Sequence, residues 1–139
     1  IFAFGRLPLA LSGRCYHARL HGLHKDSCQF TCEKDLDGLA VDTADDQAFL
    51  AINGVQTLSN QTQAACLTPD ELAAHSIRRV RLSPHSCDMV MVAKIYRDLL
   101  DGREDAEGSR FLLSCLELPG TMVDGFLRGN PGCQPAALN

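Results

Sequence analysis

The chain opens on an unbroken apolar run, Ile1-Phe2-Ala3-Phe4, that stops at Gly5. That is the pattern of a buried strand. Leu7-Pro8-Leu9-Ala10-Leu11 is apolar as well, but a proline has no N–H to give to a ladder, so this segment reads as excluded from a central strand position. Ser12-Gly13 is a turn signal, residues 15–21 have room for one or two helical turns, and Gly22 to Asp37 reads as polar loop. Phe49-Leu50-Ala51-Ile52 and Val55-Gln56-Thr57-Leu58 then flank Asn53-Gly54. Asn-Gly between apolar runs predicts a hairpin, because both residues tolerate positive φ.

The second half is written mainly in helical periods. Thr68-Pro69-Asp70-Glu71 has an N-cap residue, a proline at the first helical position and a glutamate three residues after the cap. It predicts a short helix to about His75. Ile77, Val80 and Leu82 alternate with Arg78, Arg79 and Arg81 and predict a strand closed by Ser83-Pro84. Ser86 to Asp101 carries Met89, Val92, Ala93, Tyr96, Leu99 and Leu100 at helical spacing before Gly102. A further helix is predicted over Ser109 to Glu117, and the stretch from Gly125 to Gly132 reads as loop. The order of elements is mixed α/β, and residues 68–101 fit one βα repeat of a barrel or a doubly wound sheet.

Composition narrows the picture. The 139 residues are 45% hydrophobic and 22% charged, the profile of one ordinary globular domain. The net charge of −4 argues against duplex nucleic acid as a partner. No apolar run reaches the roughly 20 residues that span a bilayer, and no signal-peptide pattern is present. The apolar start without a methionine reads as the C-terminal portion of a longer chain.

Cysteine usage changes the picture most. Of seven cysteines, three crowd into Cys15, Cys28 and Cys32 with the pattern C-x12-C-x3-C, while Cys66, Cys87, Cys115 and Cys133 are scattered. The lopsided spacing fits a reducing, cytoplasmic compartment with one metal site better than a disulfide framework. Thiolates at short gaps suit zinc or an iron–sulfur cluster. Three small buried hydrophobes, or a disulfide, are the plainer alternatives. His17, His21 and His24 are candidate further ligands, with solvated surface positions as the simpler reading. Cys115, inside Phe111-Leu112-Leu113-Ser114-Cys115-Leu116, reads as core. Arg79 and Arg81 share a face of the predicted strand and could take an anionic substrate group; an exposed strand face is the alternative. Asp35/Asp37 and Asp45-Asp46 read as solvated loop carboxylates. No nucleotide fingerprint and no serine elbow is present.

Gly5, Ser12-Gly13 and Cys15, set within residues 1–15, resemble the signature of the collagenase-like peptidase family U-thirty-two. The chain departs at Pro8, where most members carry a cysteine. That departure, followed by C-x12-C-x3-C, looks like the branch of the family that acts in ubiquinone biosynthesis. Residues 52–59, 80–84 and 124–129 are similar to the same branch. The resemblance implies the C-terminal part of a barrel-like (TIM-like) α/β domain with a cysteine-rich loop. It implies a 4Fe–4S cluster on four cysteines, three of them Cys15, Cys28 and Cys32 and the fourth upstream of Ile1. It implies oxygen-independent hydroxylation of a ubiquinone precursor in a heterodimer with a UbiU-like protein, with prephenate as the linked oxygen donor. Peptidase activity is not expected of this branch. The competing readings are a structural zinc interaction module and a true peptidase. A relative that hydroxylates RNA is disfavoured by the acidic charge and by Pro8.

Overall fold

The computed structural model describes residues 1–135. The described residues divide into two compact units: Ile1–Gly5 with the residues from Gln61 onward, and Arg6–Asn60. Two strands, β1 (Phe2–Leu11) and β4 (Gln56–Ala64), run through both. With β2 (Leu39–Asp42), β3 (Ala48–Asn53), β5 (Arg81–Leu82) and β6 (Met122–Val123) they form a six-stranded sheet. The order is β2-β3-β4-β1-β5, with β6 added on β4. The pairs β2–β3 and β3–β4 are antiparallel, whereas β1–β5 and β4–β6 are parallel. The chain is therefore mixed α/β. Among the described residues the sheet is open, and no closed barrel is formed.

The larger unit is built around α3 (Met89–Leu100), whose Val92, Ile95, Tyr96 and Leu99 are buried at helical spacing. They pack with Ala3, Phe4, Ala64, Ala65, Cys66 and Leu113 into one core cluster. Phe4, fully buried, meets the Tyr96 and His85 rings edge-on at 6.2 Å each. Helix α2 (Pro69–Ala74) starts where the capping box put it, with Thr68 and Glu71 bonded reciprocally. Helices α3 and α4 (Ala106–Ser114) are both capped by aspartates, Asp88 and Asp105, whose carboxylates accept from Met91 and Gly108.

The aspartate caps move two boundaries from their sequence positions. Helix α3 begins after Asp88 rather than at Ser86, and α4 begins and ends three residues earlier than predicted. The shift leaves Cys115 at the C-cap of α4 and exposed, not in the core. Strand β1 continues through Gly5 and Pro8 instead of stopping. Pro8 is tolerated because it is exposed and lies beyond the β5 pairing, which covers only Phe2 and Phe4. The strand predicted over 77–82 shrinks to Arg81–Leu82.

The smaller unit, Arg6–Asn60, contains β2, β3, the helix α1 (Tyr16–Leu20) and two 3-10 turns, Lys25–Ser27 and Thr31–Lys34. The predicted hairpin is present with its turn moved by one residue. Asn53 pairs with Gln56, so Gly54 and Val55 are the central pair, with Gly54 at φ +62. A glycine at the first central position suits a two-residue hairpin turn of the primed kind.

Candidate functional site

The three cysteines of the motif lie in the smaller unit, on three successive pieces of local structure. Cys15 is the N-cap of α1 in extended conformation, and its Sγ accepts the Ala18 N–H at 3.4 Å. A sulfur is a weak acceptor for this position, which oxygen side chains usually fill. Cys28 is the C-cap of the Lys25–Ser27 turn, and Cys32 lies inside the Thr31–Lys34 turn. All three are free and half-buried.

The residues between Cys28 and Cys32 are unusual. Gln29 and Phe30 are both left-handed, at φ 54 and 51, where each non-glycine residue costs on the order of 1–2 kcal/mol. Strain of this kind collects at functional loops. Cys28 itself is right-handed. A right-handed residue followed by a left-handed one turns successive backbone N–H groups to one side, the arrangement that holds anions and iron–sulfur clusters. Next to it, the Thr31 hydroxyl is buried without a hydrogen-bond partner. A buried hydroxyl left unpaired is costly, and here it adjoins Cys32.

The donors are thus of the right type for a thiolate-bound group, and their surroundings favour an anionic one. They are not closed around one point. Among the described residues, no group of three or more His, Cys, Asp or Glu side chains is placed to hold a metal ion.

His17 is not a surface histidine. It is completely buried, with Nδ1 accepting the Gly54 N–H at 3.1 Å and Nε2 facing Asp35 Oδ2 at 3.0 Å. A backbone N–H can only donate, so the imidazole proton sits on Nε2 and is donated to the Asp35 carboxylate. His21 and His24 are exposed. A cleft of about 390 Å³ is lined by Cys15 together with Arg14, Arg19, His24 and Lys25, so this part of the loop is cationic. Asp35 is a hydrogen-bonding partner rather than a solvated carboxylate, whereas Asp45 and Asp46 are exposed. Nothing in the sequence pattern separates His17 from His21; only the turn geometry at Gly54 does.

Arg79 and Arg81 belong to the larger unit and both line a shallow cleft of about 630 Å³ with Ile1, Phe2, Val80 and Leu82. Only Arg81 is on a strand, and its guanidinium lies over the Phe2 ring at 5.6 Å. Elsewhere in this unit, burial raises the Cys66 thiol to about 11, with Arg110 opposing and Asp124 reinforcing the shift. Cys66 is therefore an inert core thiol at neutral pH. No helix among the described residues is long and apolar enough to cross a membrane.

No family model matches the chain, and no solved structure matches it.

Proposed function

We propose that the chain belongs to the UbiV-like branch of the U-thirty-two family and is the iron–sulfur subunit of an oxygen-independent hydroxylase of ubiquinone biosynthesis. The observation that carries this reading is the pairing of three free, half-buried thiols at C-x12-C-x3-C spacing with the strained turn between two of them. In this reading Cys15, Cys28 and Cys32 would hold a 4Fe–4S cluster, together with the further cysteine that the resemblance implies. When bound, such a cluster supplies one-electron chemistry whose potential the surrounding protein sets.

The chain's own residues have separate tasks in this reading. The backbone N–H groups around Cys28 and Gln29 face a negatively charged thiolate set, and the Thr31 hydroxyl gains a partner beside it. Lys25 and Lys34 offset its charge. Arg79 and Arg81 orient the carboxylates of an anionic oxygen donor such as prephenate. Leu9, Leu11, Leu20, Phe30, Leu36 and Phe49 are exposed on the smaller unit, which supports a subunit that works in a heterodimer with a UbiU-like protein. The open sheet would then be part of a barrel-like domain, and the compartment the cytoplasm.

Purification of the full-length protein without oxygen, with iron, sulfide and zinc assayed alongside the visible spectrum, tests this reading. About four irons per chain with matching sulfide, lost on Cys28→Ser, are expected. Stoichiometric zinc without sulfide makes the chain a structural zinc module and removes the redox role. Arg81→Ala is expected to keep the cluster and lose hydroxylation; full activity in that variant ends the role assigned to Arg81.

A further inference from the structure

The His17 imidazole is completely buried, and each of its nitrogens is used once. Its two partners come from different parts of the smaller unit. Gly54 is the turn of the β3–β4 hairpin, and Asp35 directly follows the 3-10 turn that contains Cys32. Gly54 is gripped on both sides, because its carbonyl also accepts the Tyr16 N–H at 3.3 Å. One residue earlier in the chain is Cys15, the cap of the same helix. Asp35 is fixed in turn by its own backbone, with its N–H on the Cys32 carbonyl at 3.2 Å and its carbonyl accepting from Gly38 at 2.8 Å.

We infer that His17 and Asp35 are positioning residues that clasp the segment bearing Cys15 to the segment bearing Cys32 and so set the separation of those two thiols. The inference rests on the reading of Cys15, Cys28 and Cys32 as one ligand set, and it adds residues that the cysteine motif does not contain. The logic is that of outer groups which orient metal ligands without touching the metal. Helix α1 has only five residues, too few to be stable on its own hydrogen bonds, so what holds Cys15 in place must come from outside the helix as well. The Cys32 turn is equally short. A directional contact between the two, buried on the His17 side, fixes them, and the neutral imidazole donates to a carboxylate that keeps partial access to solvent.

The test has a metal-free arm and a metal arm, both on the full-length chain. In the first, nitroxide labels are placed on Cys15 and Cys32 after every other accessible cysteine of that chain, Cys28, Cys87, Cys115 and Cys133 among them, is replaced by serine, with the buried Cys66 left in place. Wild type and Asp35→Asn, whose side-chain oxygen still accepts from Nε2, are expected to give one narrow distance. Asp35→Ala and His17→Asn, which keeps an acceptor for Gly54 but cannot reach Asp35, are expected to lose it. A narrow, unchanged distance in both of these variants overturns the clasp.

In the second arm, with all cysteines present, cobalt(II) is titrated in and the thiolate-to-cobalt absorption is read. Asp35→Ala is expected to bind roughly 10–100-fold more weakly than wild type, with rescue in Asp35→Asn. A role in stability alone would lower the melting temperature and leave the cobalt spectrum per bound ion unchanged. Wild type without thiolate-to-cobalt bands refutes the ligand-set reading, and the label distances then still decide the clasp.

Discussion

The Tyr96 hydroxyl donates a 2.9 Å hydrogen bond to the backbone carbonyl of Ala3, which also accepts the Ala65 N–H at 2.7 Å. One carbonyl thus ties α3 to β1 while serving the chain just beyond β4. Tyr96→Phe removes one of two donors from a carbonyl that stays satisfied, so a loss of about 1 kcal/mol is expected. Tyr96→Ala also empties volume beside Phe4, and its cost should rise to about 3–5 kcal/mol. Urea denaturation of the two variants checks the difference.

Glu71 closes the capping box, and the Thr68 backbone N–H, helped by the Thr68 hydroxyl and opposed by desolvation, holds its carboxyl below the usual glutamate value of 4.5. A depressed carboxyl stabilises the fold above its unfolded value, and that stabilisation is lost as pH falls through the lower folded value. Glu71→Ala should therefore be less stable than wild type at neutral pH, with the gap narrowing below about pH 4.5. Thermal melts of both proteins at neutral and acid pH measure it. A gap of constant size contradicts the assignment.

Cys66 makes the opposite pH prediction. Its thiol titrates near 11 in the folded chain against an ordinary 9.0, chiefly because it is buried. Between these values the unfolded chain releases a proton that the folded chain keeps, so stability should fall as pH rises through that window. Cys66→Ala should flatten this slope. At neutral pH the exposed Cys115 should alkylate quickly and Cys66 only on unfolding, which mass mapping of the labelled sites reads directly.

Two glycines separate backbone strain from overlap. Gly54, at φ +62, has open space where a Cβ would go, so Gly54→Ala should cost roughly 1–2 kcal/mol from conformation alone. Gly5, at φ +113, would place a Cβ 2.8 Å from the Ser83 Cβ, 2.9 Å from His85 Nε2 and 3.1 Å from the Ser83 carbonyl. Overlap then adds about 1–3 kcal/mol, and Gly5→Ala should be clearly the less stable variant on denaturant titration.

The helices were legible because their signals are local. Thr68-Pro69-Asp70-Glu71 names its own start, and the Val92–Leu99 stripe needs only the helical period. Asp88 and Asp105 carried equally local cap signals, and reading them would have placed both helix starts. Strand β2, Leu39–Asp42, was not predicted; its exposed alternate positions bury too little to leave a pattern. The extent of β1 was hidden by Pro8, whose tolerance depends on where β5 stops. At the candidate site the cysteine spacing was visible, but the burial of His17 was not. His17 and His21 are equivalent in a helical reading, and it is the Gly54 peptide and Asp35, distant in sequence, that make one of them a structural centre.

The division of the chain has a topological meaning. Unit Arg6–Asn60 is a single excursion that leaves one strand and returns on its neighbour, between two stretches that belong to the other unit. The stems on either side are already joined there by the Ala3–Ala65 bond and by the Gln63 side chain on the Phe2 carbonyl. Closing a loop costs free energy that grows only with the logarithm of its length. The cysteine-bearing excursion can therefore lengthen or shorten at little entropic cost to the framework.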